Sequence, residues 1–141
     1  EQGPKVLEFN CRFGDPETQV ILSRLKTPLS RVIRAVHEKK LHTMTLEWDK
    51  RAAVCVIAAS GGYPGTYQKG KPVMGLENVR HVSVYHAGTR RLDGKVYTSG
   101  GRVLGVTALG DSLEEARDTA YRELEKITFE GIYYRKDIGS L

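Results

Sequence analysis

Glu8, Asn10 and Arg12 stand at alternate positions near the start of the chain. In extended backbone all three side chains leave the same face, successive ones about 6.6–6.8 Å apart. A carboxylate and a carboxamide oxygen are the hard donors that Mg2+ takes, with water and substrate phosphate filling the remaining positions. An arginine one step further offers a planar fork for a carboxylate or a phosphate. One face could therefore hold metal, polyphosphate and an anionic second substrate in line. The same spacing also describes an edge strand whose polar face meets solvent, and E-x-N-x-R is too short to decide between the two.

The residues that follow add to the chemistry. Arg12-Phe13-Gly14-Asp15-Pro16-Glu17 puts an arginine, a glycine and two acids at the start of a helix. Free N–H groups at such a terminus attract anions. Asp15 is expected to cap that helix, with Pro16 at its first position and Glu17 complementing the dipole. Histidines His37, His42, His81 and His86 are scattered and form no ligand spacing with Cys11 or Cys55. Gly100-Gly101 is either a tight bend or a backbone cradle for a phosphate. Trp48, Tyr133 and Tyr134 are read as packing residues.

These groups need elements to hold them. Lys5–Asn10 alternates as a half-buried strand does, with Leu7 and Phe9 on one side. A helix is expected from Asp15-Pro16 to about Leu25, with Val20, Ile21 and Leu25 inward. A second helix after Thr27-Pro28 carries Leu29, Val32, Ile33 and Val36 as one apolar stripe, with Arg31, Arg34 and Lys39 on its solvated face. Strands are expected at Leu46–Trp48, Ala53–Ala59, Val79–His86, Lys95–Thr98 and Arg102–Leu109. The continuously apolar second of these is buried on both faces. Asp93-Gly94 signals a hairpin. Ser112-Leu113-Glu114-Glu115 is a capping box, and Leu113, Ala116, Ala120, Leu124 and Ile127 follow at helical spacing. The fold class is α+β: a strand with two helices, then a small, mostly antiparallel sheet or barrel with one helix.

Composition sets the outer bounds. With 141 residues, 40% hydrophobic and 28% charged, the chain is neither collagen-like nor disordered throughout. Its longest apolar run, Ala52–Ala59, is far short of a membrane helix. The net charge of +5 is concentrated between Arg24 and Lys40, where a basic stripe is either a solvated helix face or an attractor of nucleic acid. Two cysteines without a pairing signature suit a reducing, cytoplasmic compartment. The text opens at Glu1 with a strand following directly, as expected of a piece of something longer.

Val6-Leu7-Glu8-Phe9-Asn10-Cys11-Arg12-Phe13-Gly14-Asp15-Pro16-Glu17-Thr18-Gln19 resembles the signature of the phosphoribosylamine–glycine ligases, also called glycinamide ribonucleotide synthetases, within the ATP-grasp superfamily. Further matching motifs are Gly62-Tyr63-Pro64-Gly65 with Tyr67 and Lys69-Gly70, and His86-Ala87-Gly88-Thr89. Gly100-Gly101-Arg102-Val103-Leu104-Gly105-Val106-Thr107-Ala108 and Phe129-Glu130-Gly131 with Tyr134-Arg135 complete the series. They run in family order over almost the whole chain.

The resemblance implies an enzyme of early purine synthesis that joins glycine to 5-phosphoribosylamine through glycyl phosphate, at the expense of ATP. By the same likeness, Glu8 and Asn10 hold Mg2+ or Mn2+, and Arg12 holds the carboxylate or acyl phosphate as the catalytic residue. Lys69, Gly100, Gly101 and Arg102 line the phosphoribosylamine side. Residues 1–42 would end the ATP-grasp domain, and 43–141 would form the C-terminal domain. The groups that grip adenine and the inner phosphates are not in this text, so the partner is the upstream part of the same polypeptide and the chain alone is expected to be inactive. Neither nucleic acid nor membrane is expected as a partner. Two other readings stay open: a different ATP-grasp ligase, and a stand-alone basic β domain that binds nucleic acid.

Overall fold

A computed structural model describes residues 3–140. Residues 5–10 form no strand and pair with nothing among the described residues. The half-buried edge expected there is instead open on both sides, with Leu7 95% and Phe9 86% exposed. Helix α1 (Glu17–Arg24) follows the turn at Gly14-Asp15-Pro16. Asp15 does not cap it: Pro16 is the N-cap residue and no side chain accepts from the first turn. The Asp15 carboxylate is engaged elsewhere, as described below.

Helix α2 (Leu29–His37) begins after Thr27-Pro28, again without a side-chain cap. Thr27 Oγ1 accepts instead from the Glu47 amide at 2.7 Å, and Lys26 N donates to Glu47 O at 2.9 Å. These bonds replace the strand expected at Leu46–Trp48, of which a single bridge, Leu25 to Trp48, remains. The apolar stripe of α2 is only partly covered: Leu29 and Val32 are half-buried, while Ile33 is 61% and Val36 56% exposed. Only Ala35 of this helix is buried.

The remainder is built around two long strands. β1 (Ala52–Ser60) and β6 (Arg102–Gly110) pair antiparallel, from Ala52 opposite Gly110 to Ala58 opposite Leu104, with a bulge at Ala58/Ala59. Between them in sequence come β2 (Pro72–Val73), β3 (Ser83–His86), β4 (Thr89–Leu92) and β5 (Lys95–Thr98). Asp93 and Gly94 both take positive φ in the β4–β5 turn, as an Asp-Gly hairpin requires. Helix α3 (Leu113–Leu124) and β7 (Ile132–Tyr133) follow.

The sheets are β3-β6-β1-β7 and β2-β5-β4, and every described pairing is antiparallel. One face of the larger sheet meets α3: Val54, Val56, Leu104, Val106 and Ala108 pack on Ala116, Ala120 and Leu124. The sequence pattern demands this, because both long strands are apolar on both faces and need a cover on each. α1 lies against β1 and β6 as well. The architecture is α+β, in two open sheets rather than a closed barrel. No helix among the described residues is long and apolar enough to cross a membrane.

Candidate active site

Asn10 Nδ2 donates to Glu8 Oε1 at 3.3 Å, so the two side chains lie together on one side of the extended segment. Both are exposed. A half-turn of the Asn10 amide sets its oxygen beside the Glu8 carboxylate, the pair of hard donors that a divalent cation accepts while keeping water and phosphate as its other ligands. Among the described residues no group of three or more His, Cys, Asp or Glu is placed to hold a metal by itself. Arg12 donates to the neighbouring Phe13 carbonyl at 3.3 Å and is otherwise open to solvent.

The turn after Arg12 is tightly made. A Cβ on Gly14 would lie 2.5 Å from Glu17 Oε2, and Gly14 O accepts from Thr18 N at 2.9 Å and from the Thr18 hydroxyl. Asp15 reaches the sheet. Its carbonyl accepts from Arg102 Nη1 at 2.6 Å, and its Oδ2 lies 3.5 Å from Arg102 Nη2. Gln19 Nε2 donates to the other carboxylate oxygen at 2.8 Å.

Arg102 opens β6 directly after Gly100-Gly101. Neither glycine takes a positive φ, so conformational freedom does not explain them; close approach does. Ser60 N donates to Gly101 O at 2.8 Å, and Ser60 Oγ donates to Gly100 O at 2.9 Å. A methyl group at Gly101 would collide with the Tyr63 ring, and one at Gly88 would fall 2.6 Å from Gly100 Cα. Three separate motifs therefore meet here: Gly62-Tyr63-Pro64-Gly65, His86-Ala87-Gly88-Thr89 and Gly100-Gly101-Arg102.

From Tyr63 the contact continues outward. Its ring meets Tyr67 edge-on, with centroids 6.0 Å apart, and Lys69 Nζ lies 5.8 Å from the Tyr67 centroid. A polar cavity of about 430 Å³ opens beside Tyr67, Thr66 and Ser60, closed on one side by the Lys71–Glu130 ion pair at 2.8 Å. A second, mostly apolar cavity of about 260 Å³ lies between Tyr63, Tyr134, Ile57, Cys55 and Arg102. Burial in its wall pushes the Cys55 thiol up, and the Thr107 hydroxyl opposite offsets this only in part.

Of the residues singled out from sequence, the structure thus joins Glu8 to Asn10 and, through Tyr63 and Tyr67, sets Lys69 in line with Gly101, which Gly100 and Arg102 flank in the chain. It records no direct contact between Arg12 and Lys69. Sequence reasoning missed the Asp15–Arg102 contact, having assigned Asp15 to the helix cap. It also missed the Lys71–Glu130 pair, although Glu130 lies inside a matching motif and Lys71 directly follows another.

This arrangement has close counterparts. A family model described as phosphoribosylglycinamide synthetase, C domain, matches residues 53–141. The phosphoribosylamine–glycine ligase of Caldanaerobacter subterraneus subsp. tengcongensis is 64% identical over 140 residues, covering 99% of this chain and 34% of that protein. The trifunctional purine biosynthetic protein adenosine-3 of Gallus gallus is 53% identical over 142 residues, 14% of its own length. The crystal structure of phosphoribosylamine–glycine ligase from Thermotoga maritima matches with a TM-score of 0.74 at 38% identity, over 95% of this chain and 33% of that one. The chain spans about a third of the length of the single-function ligases it matches. With a family model over residues 53–141 and 64% identity to a curated ligase over 99% of its own length, the chain belongs to the phosphoribosylglycinamide synthetase C-domain family.

Proposed function

We propose that this chain acts as the C-terminal third of an ATP-dependent ligase that joins glycine to 5-phosphoribosylamine, completing an active site whose nucleotide-gripping half is supplied by upstream residues of the same polypeptide. Residues 1–42 would close the ATP-grasp domain, and 43–141 would form the C-terminal domain. The observation that carries this reading is the Asp15–Arg102 contact, which ties the Glu8-Asn10-Arg12 segment to the Gly100-Gly101 turn and the tyrosine–lysine rim beyond it.

In this reading Glu8 and Asn10 hold Mg2+ or Mn2+ through a carboxylate and a carboxamide oxygen. When bound, that ion neutralises phosphate charge and aligns it for transfer. Arg12 presents two parallel N–H donors to the glycine carboxylate and follows it as it becomes the acyl phosphate. Lys69, with backbone groups of Gly100 and Gly101, faces the sugar phosphate of phosphoribosylamine. The amine of that substrate then attacks the glycyl carbonyl, phosphate leaves, and an amide remains. Such a reaction relies on alignment and charge compensation, and the chain's exposed polar groups suit that task better than they suit nucleophilic catalysis.

The test is to join the chain behind the upstream two-thirds of the Caldanaerobacter relative and measure ADP release. Release that depends on both glycine and phosphoribosylamine is the expected result. ADP release indifferent to either substrate would overturn the assignment.

A further inference from the structure

We infer that Arg102 is a positioning residue: by gripping Asp15 it fixes the aim of Arg12, Asn10 and Glu8, rather than binding the sugar phosphate itself. The inference rests on the proposed ligase reading for its catalytic consequence, and on geometry alone for the grip.

Arg102 is well placed to be an anchor. Its backbone is held on two sides, opposite Ala59 in the β1–β6 ladder and by Gly88 N donating to Arg102 O at 2.8 Å. Its side chain crosses to a residue 87 positions earlier, taking both the carbonyl and the carboxylate of Asp15. The other carboxylate oxygen of Asp15 accepts from the Gln19 amide at 2.8 Å. A phosphate approaching the same guanidinium would meet that carboxylate and be repelled by it.

The other end of the lever is unsupported. Among the described residues, the side-chain hydrogen bonds of residues 3–13 stay within that stretch: Asn10 to Glu8 and Arg12 to the Phe13 carbonyl. The C-terminal end of α1 has its own ties, with Ser23 Oγ 3.1 Å from the Tyr85 hydroxyl and Arg24 donating to Asp49 O. At the N-terminal end, where Gln19 also lies against Gly105, the Arg102 grip is the side-chain hydrogen bond described across to the sheet. Only Phe13 and Gly14 separate Asp15 from Arg12, so a tilt of the Gly14-Asp15-Pro16 turn is passed directly to the reacting groups. Misplacement by about 1 Å can cost on the order of 10²-fold in rate.

Arg102→Gln in the joined enzyme should lower kcat by about tenfold or more while KM for phosphoribosylamine stays within about twofold. In the 141-residue chain the same change should quicken amide exchange at Thr18, whose N–H bonds Gly14 O. Arg102→Lys, which keeps the charge and one prong, should fall between in kcat with the same KM, and serves if the Gln variant does not fold. A rise in KM would make Arg102 a substrate ligand and overturn the inference. So would unchanged exchange at Thr18, or a kcat that holds while exchange quickens. Should the joined wild-type enzyme show no glycine-dependent turnover, the ligase reading fails, yet the exchange experiment still decides the grip.

Discussion

Tyr63 packs its ring against the bare Cα of Gly101, where a single added methyl group would overlap the ring carbons. The glycine is therefore a contact surface, and the tyrosine's position depends on it. Through Tyr67 the effect extends to Lys69.

Gly101→Ala should destabilise the chain by about 1–3 kcal/mol, the usual cost of forcing extra volume into a closed contact. Urea unfolding of the single variants and of Gly101→Ala with Tyr63→Ala measures the coupling. The double variant should lose less than the sum, because removing the ring makes room for the methyl.

Glu8 is exposed and bonds within its own segment, so Glu8→Ala should leave the melting temperature of the chain unchanged. In the joined enzyme the same change should lower turnover by about 10²-fold or more, as loss of a charge-stabilising ligand does. Full activity in that variant removes Glu8 from the metal role.

Glu123 is buried on α3, where it accepts from Arg80 N at 2.7 Å and from Lys126 Nζ at 2.8 Å. The Lys126 bond first, and then the Arg80 amide, hold its carboxyl below the usual 4.5. A depressed folded value stabilises above the unfolded one, and that contribution disappears as pH falls through the folded value. Glu123→Gln should therefore melt well below wild type at about pH 7, and the gap should narrow at about pH 3. A gap independent of pH would show that the ionised carboxylate is not what matters.

Cys11 is exposed and Cys55 is buried with its thiol pushed up by burial. Native alkylation at neutral pH should modify Cys11 alone, since the thiolate is the reactive species. Denaturant should release Cys55 to reagent. Peptide mapping before and after unfolding reads both.

Ile33 and Val36 lie outward on α2. Ile33→Ser with Val36→Ser should change the stability of the chain alone by no more than about 0.5 kcal/mol. If the upstream polypeptide covers this stripe, the same pair should lower the melting temperature of the joined enzyme. Equal effects in both contexts would mean that the face has no such cover.

Where the chain's own residues supply all the partners, the sequence was a sufficient guide. β1 and β6 appear within a residue of their expected bounds, because apolar runs buried on both faces leave little choice. Ser112 Oγ accepts from Glu115 N at 3.1 Å as a capping box requires, although the Glu115 carboxylate reaches back to Asp111 N rather than to Ser112. Long-range contacts broke the local rules. Glu123 takes the Arg80 amide, and the strand expected from Val79 begins only at Ser83. Arg102 takes Asp15 away from its cap. The short strands β2 and β7 carry too few residues for any periodicity to show. For Glu8 and Asn10, the alternate spacing was legible and the two side chains do meet, while the unpaired state of residues 5–10 could not be read from alternation alone.

The β1–β6 ladder is in effect one hairpin whose connecting stretch, residues 61–101, contains the whole smaller sheet. Its central hydrogen bonds cannot zip from a tight turn; they must wait for the two ends of that long excursion to find each other. On that ground the chain should refold more slowly than a helical protein of equal size. Tightening the Asp93-Gly94 hairpin, deep within the excursion, should alter the rate at which the main sheet assembles far more than its position at the molecule's rim would suggest.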